Sequence, residues 1–372
     1  MDRKLRIAAF LCISVCMALL SACAAPQAEA PKDLVWPLPP DKPRIKWLKS
    51  YSAAIDVQER NPLLESLVGV DVGQSLVRPQ GVAVDAKGNI FVADTIRNSI
   101  YVFDVVRKGL WFFGEAGEEP PAQPIGITIA PKANLLLYAS IASKKVVAYD
   151  LNTGKVRFVI GQQPGFFRNP VGVAVDEQRG KIYVTDSKLS ELRVFDMSGQ
   201  YISTVAKGGT KDNELYVPSQ VFVDKDGKVY VADTMNFKIK IFGPDGSFIR
   251  AFGGLGDTPG HFSRPYGVAV DSEGHIYVSD ANYGNVQIFD NEGRLLLTFG
   301  ANGSGPGLFI APMHMWIDKD DKVYVTDSLN HRVQVFQYLK EENTGDRSQK
   351  SEDTKQNTET GSQKQEGGSN KQ

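Results

Sequence analysis

Cysteine is scarce and crowded at one end: the only three are Cys12, Cys16 and Cys23. From Ala24 onward no intrachain disulfide is possible, so whatever folds there is held by packing and hydrogen bonds. Long apolar runs are equally rare. The one extended stretch, Ile7 to Leu20, is shorter than the about 20 residues a membrane-spanning helix needs. Charge of one sign is also missing. Lys+Arg total 42 against 43 Asp+Glu, for a net charge of −1 and a pI near 6.5. A nucleic-acid binder is expected to carry a basic stripe, and none is present. There are only 4 histidines, and Cys-x-x-Cys-His and a glycine-rich phosphate loop opening a helix are both absent.

The amino terminus reads as a targeting segment. Arg3, Lys4 and Arg6 precede the short apolar stretch, as in a secretory signal peptide. Leu20-Ser21-Ala22-Cys23 then resembles the lipobox of bacterial lipoproteins. That resemblance implies cleavage after residue 22, a lipid on Cys23 and an extracytoplasmic, membrane-anchored protein; Ala24 in place of Asp favours the outer membrane of a Gram-negative cell. Residues 23–43 are proline-rich and predict an extended tether. Residues 341–372 contain no hydrophobic side chain, which predicts a disordered tail, because nothing there can be buried to offset ordering entropy.

Between these ends the sequence repeats. Pro79, Pro124, Pro170, Pro218, Pro265 and Pro312 each precede an alternating apolar run, at intervals of 45, 46, 48, 47 and 47 residues. Within a copy, four alternating runs are separated by turn residues, as at Gly81–Val84, Ile90–Ala93, Ile100–Phe103 and Leu110–Phe113. Four short strands make one blade. A lone blade cannot cover both of its apolar faces, but blades packed radially cover each other. The copies RPQGVAVDAKGNIFVADTIRNSIYVFD from Arg78 and RPYGVAVDSEGHIYVSDANYGNVQIFD from Arg264 resemble NHL repeats. The resemblance implies an all-β, six-bladed β-propeller over residues 44–340. The sixth copy ends after its third strand, so the alternating segment from Arg44 to Lys49 is expected to supply the missing outer strand and close the ring.

Two sets of recurring aspartates invite a metal reading. Asp85, Asp176, Asp224, Asp271 and Asp318 each end a first strand, with a turn following; this is hairpin chemistry. Asp94, Asp186, Asp233, Asp280 and Asp327, with Ser140 in the second copy, follow the second strand and suit caps of the next turn. A residue present in every blade builds the blade, so a unique site is expected where copies disagree. The third repeat position reads Gly81, Gly126, Gly172, Gln220, Gly267 and His314, and the preceding one includes Tyr266 and Met313. Loops after the second strand add Arg97, Met235, Phe237, Asn282, Tyr283 and His331. Gln220, Tyr266, Met313, His314, Phe237, Asn282, Tyr283 and His331 are therefore the candidate ligand-binding residues, ringing a channel mouth suited to a protein, peptide or other envelope ligand.

Some NHL-like propellers are metal-dependent lyases or lactonases. Zinc catalysis wants three protein ligands, and His314 alone of His261, His275, His314 and His331 is placed at the channel. The expectation is a binding or scaffold protein with no cofactor and no nucleic-acid partner. The alternatives are a metal-assisted lyase or hydrolase using His314, and a structural subunit of an envelope complex, for instance one with cytochromes.

Overall fold

The computed structural model describes residues 34–58, 75–115, 117 and 119–340. The signal segment, Cys23 and the polar tail lie outside the described residues. Six sheets make up the fold, one per sequence repeat, antiparallel throughout except for Glu214–Leu215, which adds a short parallel edge to blade 3. In blade 1 the strands are Pro79–Val84, Ile90–Asp94, Ser99–Asp104 and Gly109–Phe113, each hydrogen-bonded to the next. Burial falls from the inside outward. Pro79–Val84 is buried at every position, whereas the outer strand of blade 5, Leu295–Phe299, alternates partly buried and exposed side chains until Phe299. That gradient explains why inner strands read as continuous apolar runs and outer ones as alternating runs.

The core is not one mass but six wedges, each lying between neighbouring blades. One unites Ala83, Phe91 and Phe113 of blade 1 with Ile127, Tyr138 and Tyr149 of blade 2. Another unites Ala269 and Tyr277 of blade 5 with Met315, Val325 and Phe336 of blade 6. Hydroxyl groups stitch the same seams. Thr185 donates to Ser219 O (2.5 Å), Ser279 to Met313 O (2.6 Å) and Thr326 to Gln80 O (2.9 Å), each crossing to the next blade.

Both aspartate sets are structural. Asp85 Oδ1 accepts from the N–H groups of Lys87 and Asn89 (2.9 and 2.8 Å), and Gly88 takes φ +87° to complete the hairpin. Asp94 is more heavily used. It accepts from Val77 and Arg78 N–H in the preceding interblade loop and from Ile96 and Arg97 N–H in the following turn. Asp186 and Asp280 repeat that arrangement, so these carboxylates bind loop to turn as well as capping the turn.

The ring closes as the alternation predicts. Ile45–Tyr51 is the outer strand against Arg332–Tyr338 of blade 6, with Ile45 opposite Tyr338 and Tyr51 opposite Val333. Trp47 Nε1 donates to Gln334 Oε1 (3.0 Å), joining positions nearly 300 residues apart. The tether prediction fails at its far end. Val35–Trp36 pairs with Ile45–Lys46 as a fifth strand, and Trp36 packs its ring against Phe299 and Phe336. Two apolar residues next to a ready strand edge gain more from pairing and burial than the following prolines cost, because those prolines sit in the turn beyond the strand.

Candidate ligand-binding site at the channel mouth

The first strand of each sheet faces the axis, and successive first strands lie side by side around it. The upper face carries the starts of these strands, the interblade loops and the turns between second and third strands. The eight candidate residues divide there into two groups.

Gln220, Met313 and His314 are buried, at 3, 8 and 4% exposure. Gln220 spans three blades: its Oε1 accepts from Val268 N–H (3.1 Å) and Met315 N–H (3.0 Å), and its Nε2 donates to Met315 O (2.8 Å). His314 Nδ1 accepts from Val82 N–H (3.4 Å) across the seam between blades 6 and 1. Burial lowers the His314 pKa to about 3, so the imidazole is neutral. The expectation that Gln220 and His314 face a ligand at an open mouth is corrected here: they are inside the channel wall, bonding strand to strand. The glycine pattern misled because it reports packing. A Cβ at Gly81, Gly126 or Gly267 would stand 2.2 to 2.3 Å from the neighbouring blade's carbonyl oxygen, so glycine permits close approach where Gln220 and His314 substitute a side-chain bridge.

Tyr266 is partly exposed, and burial of its surroundings raises the phenol pKa to about 12. Asn282 and His331 are exposed on the turns, and Phe237 and Tyr283 partly so. Asn282 Nδ2 donates to Ser263 Oγ (3.0 Å) and Tyr283 OH to Gly256 O (2.7 Å), while His331 Nδ1 meets Val77 O, so all three also hold interblade loops. Phe237 and His331 end single helical turns with φ of +55° and +56°, which sets them outward.

Sequence reasoning passed over three neighbours of this group. Ile96 and Leu329 are 55 and 48% exposed and occupy the same repeat position as Met235, the second residue after the recurring aspartate; Tyr216, in an interblade loop, is 50% exposed. The signal was present, since that position holds Asn282 and Lys188 in other blades. The opposite face carries two clefts of about 660 and 400 Å³ that share Ile317–Lys319, with Trp316 lining the first and Phe222 the second. Three of their carboxylates are engaged: Asp224, Asp271 and Asp318 each accept from a tyrosine hydroxyl as well as from turn N–H groups. Among the described residues no group of three or more His, Cys, Asp or Glu is placed to hold a metal ion, and no helix is long and apolar enough to cross a membrane.

Fold and site together define a six-bladed β-propeller whose copy-specific residues gather around one end of its channel. The family model for a 6-bladed beta-propeller matches residues 171–252 and 265–351, and that for the NHL repeat matches residues 76–103. The chain is thus a six-bladed propeller with an NHL repeat at residues 76–103. No curated protein matches it. Among solved structures, a protein of unknown function from Bacteroides thetaiotaomicron has a TM-score of 0.60 at 14% identity, over 80% of this chain and 76% of that one. A gluconolactonase from Xanthomonas campestris scores 0.55 at 15% identity (79 and 98% covered), and virginiamycin B lyase from Staphylococcus aureus 0.53 at 13% (70 and 80%). At such identities the likeness is one of fold.

Proposed function

We propose that this propeller is an extracytoplasmic binding or scaffold protein, tethered to a membrane by a lipid on Cys23, that holds a protein or peptide partner on its upper face. One observation carries the reading: Ile96, Met235 and Leu329, at a single repeat position in three blades, stand 55, 41 and 48% exposed around the channel mouth, with Tyr216 beside Met235. Apolar side chains scattered singly over a surface are ordinary, but a set repeated at one level on blades 1, 4 and 6 offers separate apolar contacts to a partner seated across that end of the channel. Binding rather than catalysis is supported by His314, whose Nδ1 is engaged by Val82 and whose ring is buried, and by His275, which lies beside Tyr338 and bonds Asp271.

Changing Ile96, Met235 and Leu329 together to Glu is expected to weaken capture of any membrane protein that copurifies with the parent at least about tenfold, a loss of roughly 1.4 kcal/mol or more. Thermal unfolding should stay unchanged, since these side chains are exposed. Retained capture by a folded triple variant would exclude the upper face. The metal-assisted alternative is tested by elemental analysis of the purified protein, where stoichiometric zinc or calcium would favour it. For the anchor, Cys23→Ser is expected to move the protein from the membrane to the soluble fraction on cell fractionation, and unchanged membrane recovery would refute lipidation there.

A further inference from the structure

Blades 4 and 6, which depart from the glycine pattern at the third repeat position, depart again two residues on. The fifth position reads Ala83, Thr128, Ala174, Phe222, Ala269 and Trp316. Four blades keep a small side chain there. Trp316 reaches past the small Ala83, packing against the seam between blades 6 and 1 and also the one between blades 1 and 2, yet it stays partly exposed. Buried indoles usually find a partner for their N–H, as Trp47 does in Gln334 (3.0 Å). Trp316 Nε1–H has none among the described residues and is not sealed from water.

This ring forms a wall of the larger cleft on the face opposite the channel mouth. The cleft is about 660 Å³ and runs between blade 6, with Leu48, Lys49 and Tyr51, and blade 1, with Val84, Lys87 and Val105. Small-molecule sites occupy roughly 300 to 1,000 Å³ and are mostly apolar with a few placed polar groups. Four lysines and three aspartates line it, and their charges are unequally committed. Asp85 and Asp318 accept N–H groups of their own turns, and Asp320 pairs with Lys319 (2.8 Å). Lys49, Lys87 and Lys322 pair with no carboxylate among the described residues. Lys49 Nζ instead lies 4.2 Å from the centre of the Tyr51 ring, which keeps its charge at the cleft wall.

We propose that this cleft binds a small organic anion with a flat apolar body, an aromatic carboxylate in class. Its ring lies against Trp316, Val84 and Val105, and its carboxylate is met by Lys49, Lys87 and Lys322. A neutral aromatic leaves the ammonium groups unanswered, and an inorganic anion leaves the apolar wall wet. The cleft and the upper-face patch are at opposite ends of the ring, so either can fail without the other.

The indole N–H resonances report on the cleft directly, because the chain has only 4 tryptophans. In 15N-labelled protein, 1-naphthoate is expected to shift the Trp316 signal along a saturating curve. Trp111, 40% exposed on the outer strand of blade 1, is the internal control and is expected to stay in place. The neutral analogue 1-naphthylmethanol is expected to bind at least about tenfold more weakly, and Lys49→Gln, Lys87→Gln and Lys322→Gln together are expected to weaken 1-naphthoate by about the same factor. Three results would overturn the proposal: no saturating shift of Trp316 beyond that of Trp111, equal affinity for the neutral analogue, or unchanged affinity in the lysine variant. Trp316→Phe serves only to assign the signal, and triple-resonance assignment of the parent replaces it should that variant fail to fold.

Discussion

Two histidines of this propeller respond to acid in opposite directions, and each direction follows from what its ring touches. His275 bonds Asp271 Oδ2 (2.9 Å), and that hydrogen bond raises its pKa above the usual imidazole value. Its stabilising contribution is complete below the unfolded pKa of about 6.5 and is lost as pH rises through the higher folded value. His314 is the reverse case. Burial holds its pKa near 3, so the folded state refuses a proton that the unfolded chain accepts below about 6.5. Stability is then lost as pH falls from there, with a limiting slope of about 1.4 kcal/mol per pH unit for one proton. In urea titrations at a series of pH values, His314→Phe is expected to flatten the acid limb between about pH 6 and 4. An unchanged slope would mean that His314 is protonated in the fold. A second buried group carries more energy. Lys240 is 1% exposed and its Nζ lies 3.0 Å from Asp233 Oδ2, with a further bond to Lys211 O (2.7 Å). Lys240→Met strands a buried carboxylate and is expected to cost about 3 to 5 kcal/mol by urea unfolding.

At the level of the strand, closure of the ring concentrates in one segment. Ile45–Tyr51 supplies the outer strand of blade 6, and Ile45 and Tyr51 are buried in two different seams of the core. Removing residues 44–52 takes away that ladder and also opens the seam between blades 6 and 1, which no disulfide reinforces. The deletion is expected to abolish cooperative thermal unfolding seen by circular dichroism, and a sharp transition at the parent temperature would show that the six blades close without it. The pairing of Val35–Trp36 beyond this strand was not legible, because two residues are too short a stretch to show alternation. It exists through the apolar faces of Phe299 and Phe336, which only the folded ring presents.

For the molecule as a whole, repetition divides the labour between copies. What most blades share, including the two aspartate sets, makes the ring together with the hydroxyl stitches and aromatic wedges at its seams; what single blades add sits on the axis and the upper face. The repeat spacing, the strand alternation, the turn aspartates and the missing last strand were readable in the sequence. All are local patterns, set by side-chain period and by hydrogen bonds within a few residues. The candidate site was only half readable. Sequence located the departures at Gln220 and His314 but not their direction, because a side chain at the third repeat position can turn toward solvent or lie against the next blade. That choice depends on how closely two inner strands approach, a distance that exists only once the ring is closed. The exposed group at Ile96, Met235 and Leu329 is likewise a product of closure, which brings residues from blades 1, 4 and 6 to one level around a common axis.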